Sequence, residues 1–275
     1  MAVTVTDEIF VAYSQCPRKA YLLMYSEERG QLHEYQQILE QNRRANQFKH
    51  LDVLRCEPDV YAYSVGNLKE GYNVLVNARL IADGLQADCD VLTKVDEQTY
   101  EPTIYIGTHS INDTDRIRLM FIGHVLAQVQ TRPSVTGHII AIDGKSSKVR
   151  LQPGRKALSS LLDPLREWAT SASPAEPPII LNKHCSICQF RIQCETRAIR
   201  EDNLSRLNGV TPRVIRRYER KGIFTVKQLS YLFKPRKRKK RAKNPPPTVH
   251  NIELQALAIR TGRIYLQELP TLTRH

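Results

Sequence analysis

The chain has 275 residues, 41% of them hydrophobic and 25% charged, enough for a packed core in one large domain or two small ones, which excludes wholesale disorder. No run of 18 apolar residues occurs, which excludes a membrane-spanning helix, and the N-terminus MAVTVTDEIF lacks the basic-then-apolar order of a secretory leader, which points to a cytoplasmic chain. The net charge of +13 is uneven: residues 191–243 hold 18 Lys/Arg against 4 Asp/Glu, a net of +14, and the remainder is near neutral, so this segment suits a polyanion, nucleic acid above all.

In chain order, residues 6–25 predict one helix and the start of a second. Thr6 can cap the first, with Asp7 and Glu8 in the favoured first turn. Pro17 suits the first position of the next. Residues 34–50 are polar and helical in pattern. Between 51 and 106 the stretches VYAYSV, NVLVNARLI, LQADCDVLTKV and TIYIG read as strands, separated by turns such as Gly66-Asn67 and Glu70-Gly71. Residues 114–131 form an amphipathic helix with Thr114 as cap and Leu119, Ile122, Leu126 and Val129 at helical spacing. GHIIAID and SKVRLQ read as a strand pair, and 155–170 as a helix with Pro164 inside it. SASPAEPP, at 171–178, is a linker or irregular turn. Residues 249–266 end the chain with a helical piece.

Three of six cysteines, Cys185, Cys188 and Cys194, fall within ten residues. In a chain without a leader this clustering reads as metal ligation rather than disulfides. Cys185 and Cys188 place two sulfurs on one tight turn, and the fourth ligand is either His184 or the distant Cys16. Zinc and a [4Fe–4S] cluster both suit such a set. With Cys16 as ligand the site would be a structural clasp with no open position for chemistry.

S-Q-C-P-R-K-A-Y-L near the N-terminus, paired with H-C-x-x-C-x-F-x-x-x-C around residue 190, resembles the iron–sulfur nucleases of the RecB type and their CRISPR-associated relatives, members of the PD-(D/E)XK superfamily. The resemblance covers roughly residues 1–200 and is extended by LNKHCSICQFRIQCETRAIREDNLSRLNGV and KGIFTVKQLSYLFKPRKRKKR. It implies an α/β, restriction-endonuclease-like core with N-terminal helices over residues 1–200, closed by a [4Fe–4S] cluster on Cys16, Cys185, Cys188 and Cys194. A small helical module follows at 201–233, then a basic run and proline linker at 234–248 and a tail at 249–275. In longer relatives an RNase H-like domain comes next. This chain stops at LPTLTRH, which implies either a stand-alone front half or one whose second half is a separate protein, a partner at its C-terminal end.

Such nucleases use clustered carboxylates to hold Mg²⁺ or Mn²⁺ against the scissile phosphate. The family layout is an Asp on one core strand and Glu-x-Lys on the next. The resemblance assigns Asp90 and Glu101 as catalytic carboxylates, with Asp88 beside Asp90 and His50 as a further metal ligand. Gln128, or Gln130, stands for the glutamine placed near DNA. The position two after Glu101 is Thr103 and not lysine. Lys94, Arg116 and Lys145 are possible substitutes, and His109 falls near the strand end. Two functions follow: a metal-dependent DNA-cutting enzyme, or a nuclease-fold protein that binds DNA or docks a partner without cutting.

Residues 201–230 have the rhythm of a helix–hairpin–helix module, two short helices around Gly222-Ile223. Its backbone N–H groups and Arg213, Arg216, Arg217, Arg220 and Lys221 would meet phosphate without reading bases. Arg236, Lys237, Arg238, Lys239, Lys240 and Arg241 belong to a run with eight Lys/Arg in ten residues. It reads as a nonspecific nucleic-acid contact, or as a solvated tail or nuclear-targeting-like signal.

Overall fold

The structure is a computed structural model that describes residues 3–97, 99–130, 132–151, 155–234 and 251–265. The chain divides into two compact units, residues 1–177 and 178–275. The division falls inside SASPAEPP, where prolines withhold the backbone donors that a helix or sheet requires. On the first unit's side, the buried Arg18 guanidinium pairs with Glu176 at 2.6 Å and donates to the Pro177 carbonyl at 3.0 Å. The expected domain edge at residue 200 lies inside the second unit. Cys16 therefore belongs to one unit and Cys185, Cys188 and Cys194 to the other.

The first unit is a mixed α/β body. Strand β1 (Val5–Thr6) leads into helices α1 (Asp7–Gln15) and α2 (Pro17–Tyr25), which break at Cys16 as the Pro17 signal requires. The long helix α3 (Glu34–Leu54) follows, then β2 (Val60–Ala62), α4 (Val65–Glu70), β3 (Val74–Ala82), β4 (Leu85–Asp96) and β5 (Thr99–Tyr105). Helix α5 (Asp113–Val129), β6 (Thr136–Ile140), β7 (Ser146–Arg150) and α6 (Arg155–Thr170) complete it. The strands form one sheet in the order β2-β3-β4-β5-β6-β7, with β1 pairing to β4. The β5–β6 pair is parallel, joined by the α5 crossover, and the β3–β4, β4–β5 and β6–β7 pairs are antiparallel.

Local chemistry explains these elements. The β3–β4 hairpin turns on Asp83-Gly84, with φ of 49° and 71°, the left-handed pair that a two-residue type I′ turn demands. Leu119, Phe121, Ile122, Val125 and Leu126 of α5 are fully buried, each worth about 1.5–3 kcal/mol of burial. The helix packs on β3 to β6 and on α1, where Phe121 stacks on Phe10 at 4.6 Å. Its cap is Asn112, in a reciprocal box with Asp115, not Thr114. The stretch expected to turn at Gly66-Asn67 is instead the short helix α4. Ser64 caps it through the Asn67 N–H, and Gly71 closes it at φ 78°.

Helix α3 buries only Asn46 and Leu51. The Asn46 amide donates to the carbonyls of Ile106 and Ile140 at 2.9 and 3.1 Å, which fastens α3 across the ends of β5 and β6. Leu51 joins Val76, Val91 and Tyr105 in a small apolar cluster.

The second unit is helical. A 3₁₀ turn (Lys183–Ile187) precedes α7 (Arg191–Arg200), and a second (Leu204–Arg206) precedes α8 (Pro212–Glu219), α9 (Val226–Ser230) and α10 (Ile252–Thr261). Leu204, Leu207, Val210, Ile215, Tyr218, Val226, Leu229 and Ala256 make its core. Asp202, at φ 51°, caps α9 by accepting from the Val226 N–H through its carbonyl and from the Lys227 N–H through its carboxylate. Gly222, at φ 76°, turns the chain between α8 and α9 as the sequence predicts.

Candidate functional site

Asp90 sits where β4 leaves its neighbours. The β4–β5 ladder ends at Val91↔Thr103. One step beyond, the Tyr105 N–H donates to Asp90 Oδ2 at 2.8 Å instead of entering the ladder. On the other side the β3–β4 ladder runs from Val76↔Val91 to Ala78↔Cys89, so Asn77 stands opposite Asp90. It carries φ 54°, a costly conformation for a non-glycine residue within a strand. The strands part here around a cleft of about 370 Å³ that Arg43 and Gln47 of α3, Asn77 and Arg79 of β3, Asp88 and Asp90 of β4, and Arg118 of α5 line.

The Asp90 carboxylate is 6% exposed and already partnered. Gln47 Nε2 donates to Oδ1 at 2.7 Å, and Arg43 Nη1 lies 3.7 Å from the same oxygen. Burial pushes its pKa up, and the Tyr105 N–H and the charges of Arg118 and Arg43 pull against that rise. Each guanidinium in the cleft also has a carboxylate of its own. Arg43 grips Glu40 through two bonds of 2.8 and 2.9 Å, Arg118 pairs with Asp7 at 2.8 Å, and Arg79 pairs with Asp88 at 3.0 Å. Cys89 is buried beside them, its thiol pushed up to about 12 by desolvation, which makes it inert.

The β5 residue delivered to Asp90 is Tyr105. Burial first, then the charge of Asp90, pushes its phenol up to about 12. Its ring stacks on His50 at 5.1 Å and 14°, so His50 is engaged with Tyr105. Two residues beyond Tyr105 is Gly107. A Cβ there would run into the Leu39 carbonyl of α3 and stand 2.9 Å from the Arg43 nitrogen.

Glu101 lies elsewhere. It pairs with Thr93, three rungs from Asp90, or about 10 Å along the strand. The Thr136 hydroxyl donates to it, His138 Nε2 lies at 3.2 Å and Lys148 Nζ at 3.9 Å. Asp88 and Asp90 line one cleft, while Glu101 is held by β6 and β7. Among the described residues no three His, Cys, Asp or Glu side chains are grouped to hold a metal ion. The expected set of His50, Asp88, Asp90 and Glu101 is thus not brought together here: Asp88 and Asp90 share the cleft, Glu101 stands apart from it and His50 stacks on Tyr105. Gln128 bonds His124 on the exposed side of α5. Gln130 is buried, accepting from the Tyr100 N–H and donating to the Arg132 carbonyl, a structural role. Of the possible substitute cations, Lys94 donates to the Gly71 carbonyl, Lys145 pairs with Asp143 and Arg116 lies in the first turn of α5. His109 lies in the loop after β5.

Sequence reading misses Arg43, Gln47, Asn77, Tyr105 and Arg118. One signal was available: Arg43, Gln47 and His50 are spaced i, i+4, i+7, which places them on one side of α3.

In the second unit Cys185 and Cys188 bracket the end of the first 3₁₀ turn, and Cys194 lies one turn into α7. The Asn182 N–H donates to Cys185 Sγ at 3.3 Å, a contact that favours a sulfur acceptor. None of the six cysteines forms a disulfide. Three thiols on a short turn and helix start suit a thiolate-bound metal by donor type, although the described side chains are not drawn around one point. On α8, Arg213, Arg216 and Arg220 share one side and frame a shallow open space of about 760 Å³ together with Glu219. Arg217 lies over the Tyr218 ring at 5.3 Å. Residues 236–241 fall outside the described residues. No helix among the described residues is long and apolar enough to cross a membrane.

No family model matches the chain, and no curated protein matches it in sequence.

Proposed function

We propose that the chain is a sequence-nonspecific DNA-binding protein, built on a nuclease-like α/β body of the RecB type, that holds nucleic acid without cutting it. The observation that carries this reading is the neighbourhood of Asp90. The residue brought to Asp90 from β5 is a tyrosine, and the residue two further on is a glycine packed against the backbone of α3. Positions 105 and 107 thus offer neither the carboxylate nor the lysine that metal-assisted phosphodiester hydrolysis would use there, and Asp88, the other carboxylate of the cleft, is paired with Arg79. Arg43 and Arg118 supply positive charge beside Asp90 where a divalent ion would otherwise do so. Binding is carried by the second unit, whose Arg213, Arg216, Arg217, Arg220 and Lys221 concentrate charge around a helix–hairpin–helix-like turn. In the second unit Cys185, Cys188 and Cys194 are thiol donors that would hold a structural [4Fe–4S] cluster, which would supply cross-linking and not chemistry.

A cutting enzyme is the second reading. A buried carboxylate opposite a non-glycine residue at φ 54° is the kind of strain that active sites keep. One experiment separates the two. Purified protein is incubated with end-labelled single- and double-stranded DNA in Mg²⁺ and in Mn²⁺, with binding measured in parallel. The expected result is retention of DNA with no cleavage above that of Asp90→Ala. Cleavage abolished in Asp90→Ala would overturn the binding-only reading.

A further inference from the structure

We infer that the second unit takes a single strand rather than a duplex, stacking unpaired bases on Phe224 and Tyr231 while the arginines of α8 hold the phosphates. The inference rests on the proposed nucleic-acid binding and adds which form is bound. Phe224 is 58% exposed and Tyr231 is 62% exposed. The unit does not lack a core to receive them, since Val226 and Leu229, between the two, are buried. Two exposed aromatic rings in the most basic part of the chain call for a ligand that offers both flat apolar faces and negative charge. Single-stranded nucleic acid offers both. A duplex keeps its base faces stacked inside and shows only their edges.

The backbone that carries Phe224 and the ring of Tyr231 are held in advance of binding. The Phe224 N–H donates to Gln228 Oε1 at 2.7 Å. The same oxygen accepts the Thr225 N–H, and the Thr225 hydroxyl accepts the Gln228 N–H, so a reciprocal cap fixes the start of α9. The Phe224 ring thus projects from a pinned backbone, and little order is left to impose on it. Tyr231 caps the other end of α9. The Arg260 guanidinium lies 4.2 Å from its ring centroid, a planar cation on a planar ring. Six residues, the cap Thr225 and the five of α9, separate the two aromatics in the chain. Arg216, Arg220 and Lys221 lie within the eight residues before Phe224, and exposed Lys227 lies between Phe224 and Tyr231 in the chain.

The test uses the full chain and fluorescence anisotropy with labelled oligo-dT and a blunt duplex of the same length. The strand is expected to bind more tightly. Phe224→Ala and Tyr231→Ala are each expected to weaken the strand about tenfold and to leave the duplex unchanged. Phe224→Trp keeps affinity, and its emission is quenched on binding. Arg216→Ala weakens both forms. If duplex and strand bind alike and both alanine variants match wild type, the single-strand assignment falls while nucleic-acid binding stands. If wild type binds neither form, the proposed function falls with it. Circular dichroism of each variant confirms that the exposed substitutions leave the fold intact.

Discussion

At Gly107 the backbone of α3 passes so close that an added Cβ would meet the Leu39 carbonyl and the Arg43 nitrogen. Both obstacles are backbone atoms, and the Asn46 bonds to Ile106 and Ile140 hold that helix in place. Neither can yield as a side-chain tip would. Gly107→Ala is therefore expected to destabilise the protein by about 2–3 kcal/mol, the cost of overpacking a fixed site, as read from the urea midpoint at constant m-value. A midpoint equal to wild type would mean that α3 can lift away, and that a lysine could have been accommodated there. Asp90 is singled out by the family layout that the resemblance implies, and the structure buries it at the cleft. The residue that stands beside it is not legible in the sequence. Glu101 is the only acid on β5, but rung position is set by pairing between strands, and a single sequence does not print it. The ladder ends at Thr103, and the N–H that turns to Asp90 is that of Tyr105.

Elements with a strong repeating pattern or a terminal signal are readable from the residues alone. The α1–α2 break follows from Pro17, α5 from its apolar spacing, and the α8–α9 turn from Gly222. Helix α4 is missed because Gly66-Asn67 has turn chemistry, while the Ser64 cap and the Gly71 stop act only once the segment is helical. The cysteine turn is a harder case. Spacing brings Cys185 and Cys188 to one 3₁₀ turn, but nothing local says which metal they serve. Iron–sulfur ligation predicts that anaerobically purified protein is brown with broad visible absorption. Cys188→Ser and Cys194→Ser should each lose the colour and lower the thermal midpoint by roughly 5–10 °C. Cys56→Ser, an exposed thiol outside the set, should do neither. Colourless, zinc-loaded protein prepared without oxygen would replace the cluster with a zinc site.

Across the whole chain the charge divides at the fold boundary more sharply than composition suggests. Residues 1–177 hold 19 Lys/Arg against 22 Asp/Glu, a net of −3, and residues 178–275 hold 22 against 6, a net of +16. Within the first unit's cleft Arg43, Arg79 and Arg118 each face a carboxylate, and the unit as a whole carries a net negative charge. Binding should then behave as counterion release by the second unit. The logarithm of affinity should fall linearly with the logarithm of salt, with each phosphate contact on a single strand adding about 0.7 to the slope. Replacing the six Lys/Arg at 236–241 with Gln is expected to lower the slope by up to about 4, if every one of them meets a phosphate. Asp90→Ala should leave the slope where it is, because the change lies in the near-neutral unit. An unchanged slope in the six-fold variant would remove the run from the footprint and leave the arginines of α8 as the source of the salt dependence. A slope that rises in Asp90→Ala, where loss of the carboxylate releases Arg43 and Arg118, would mean that the first unit's cleft also meets nucleic acid, which the matched charges in the cleft argue against.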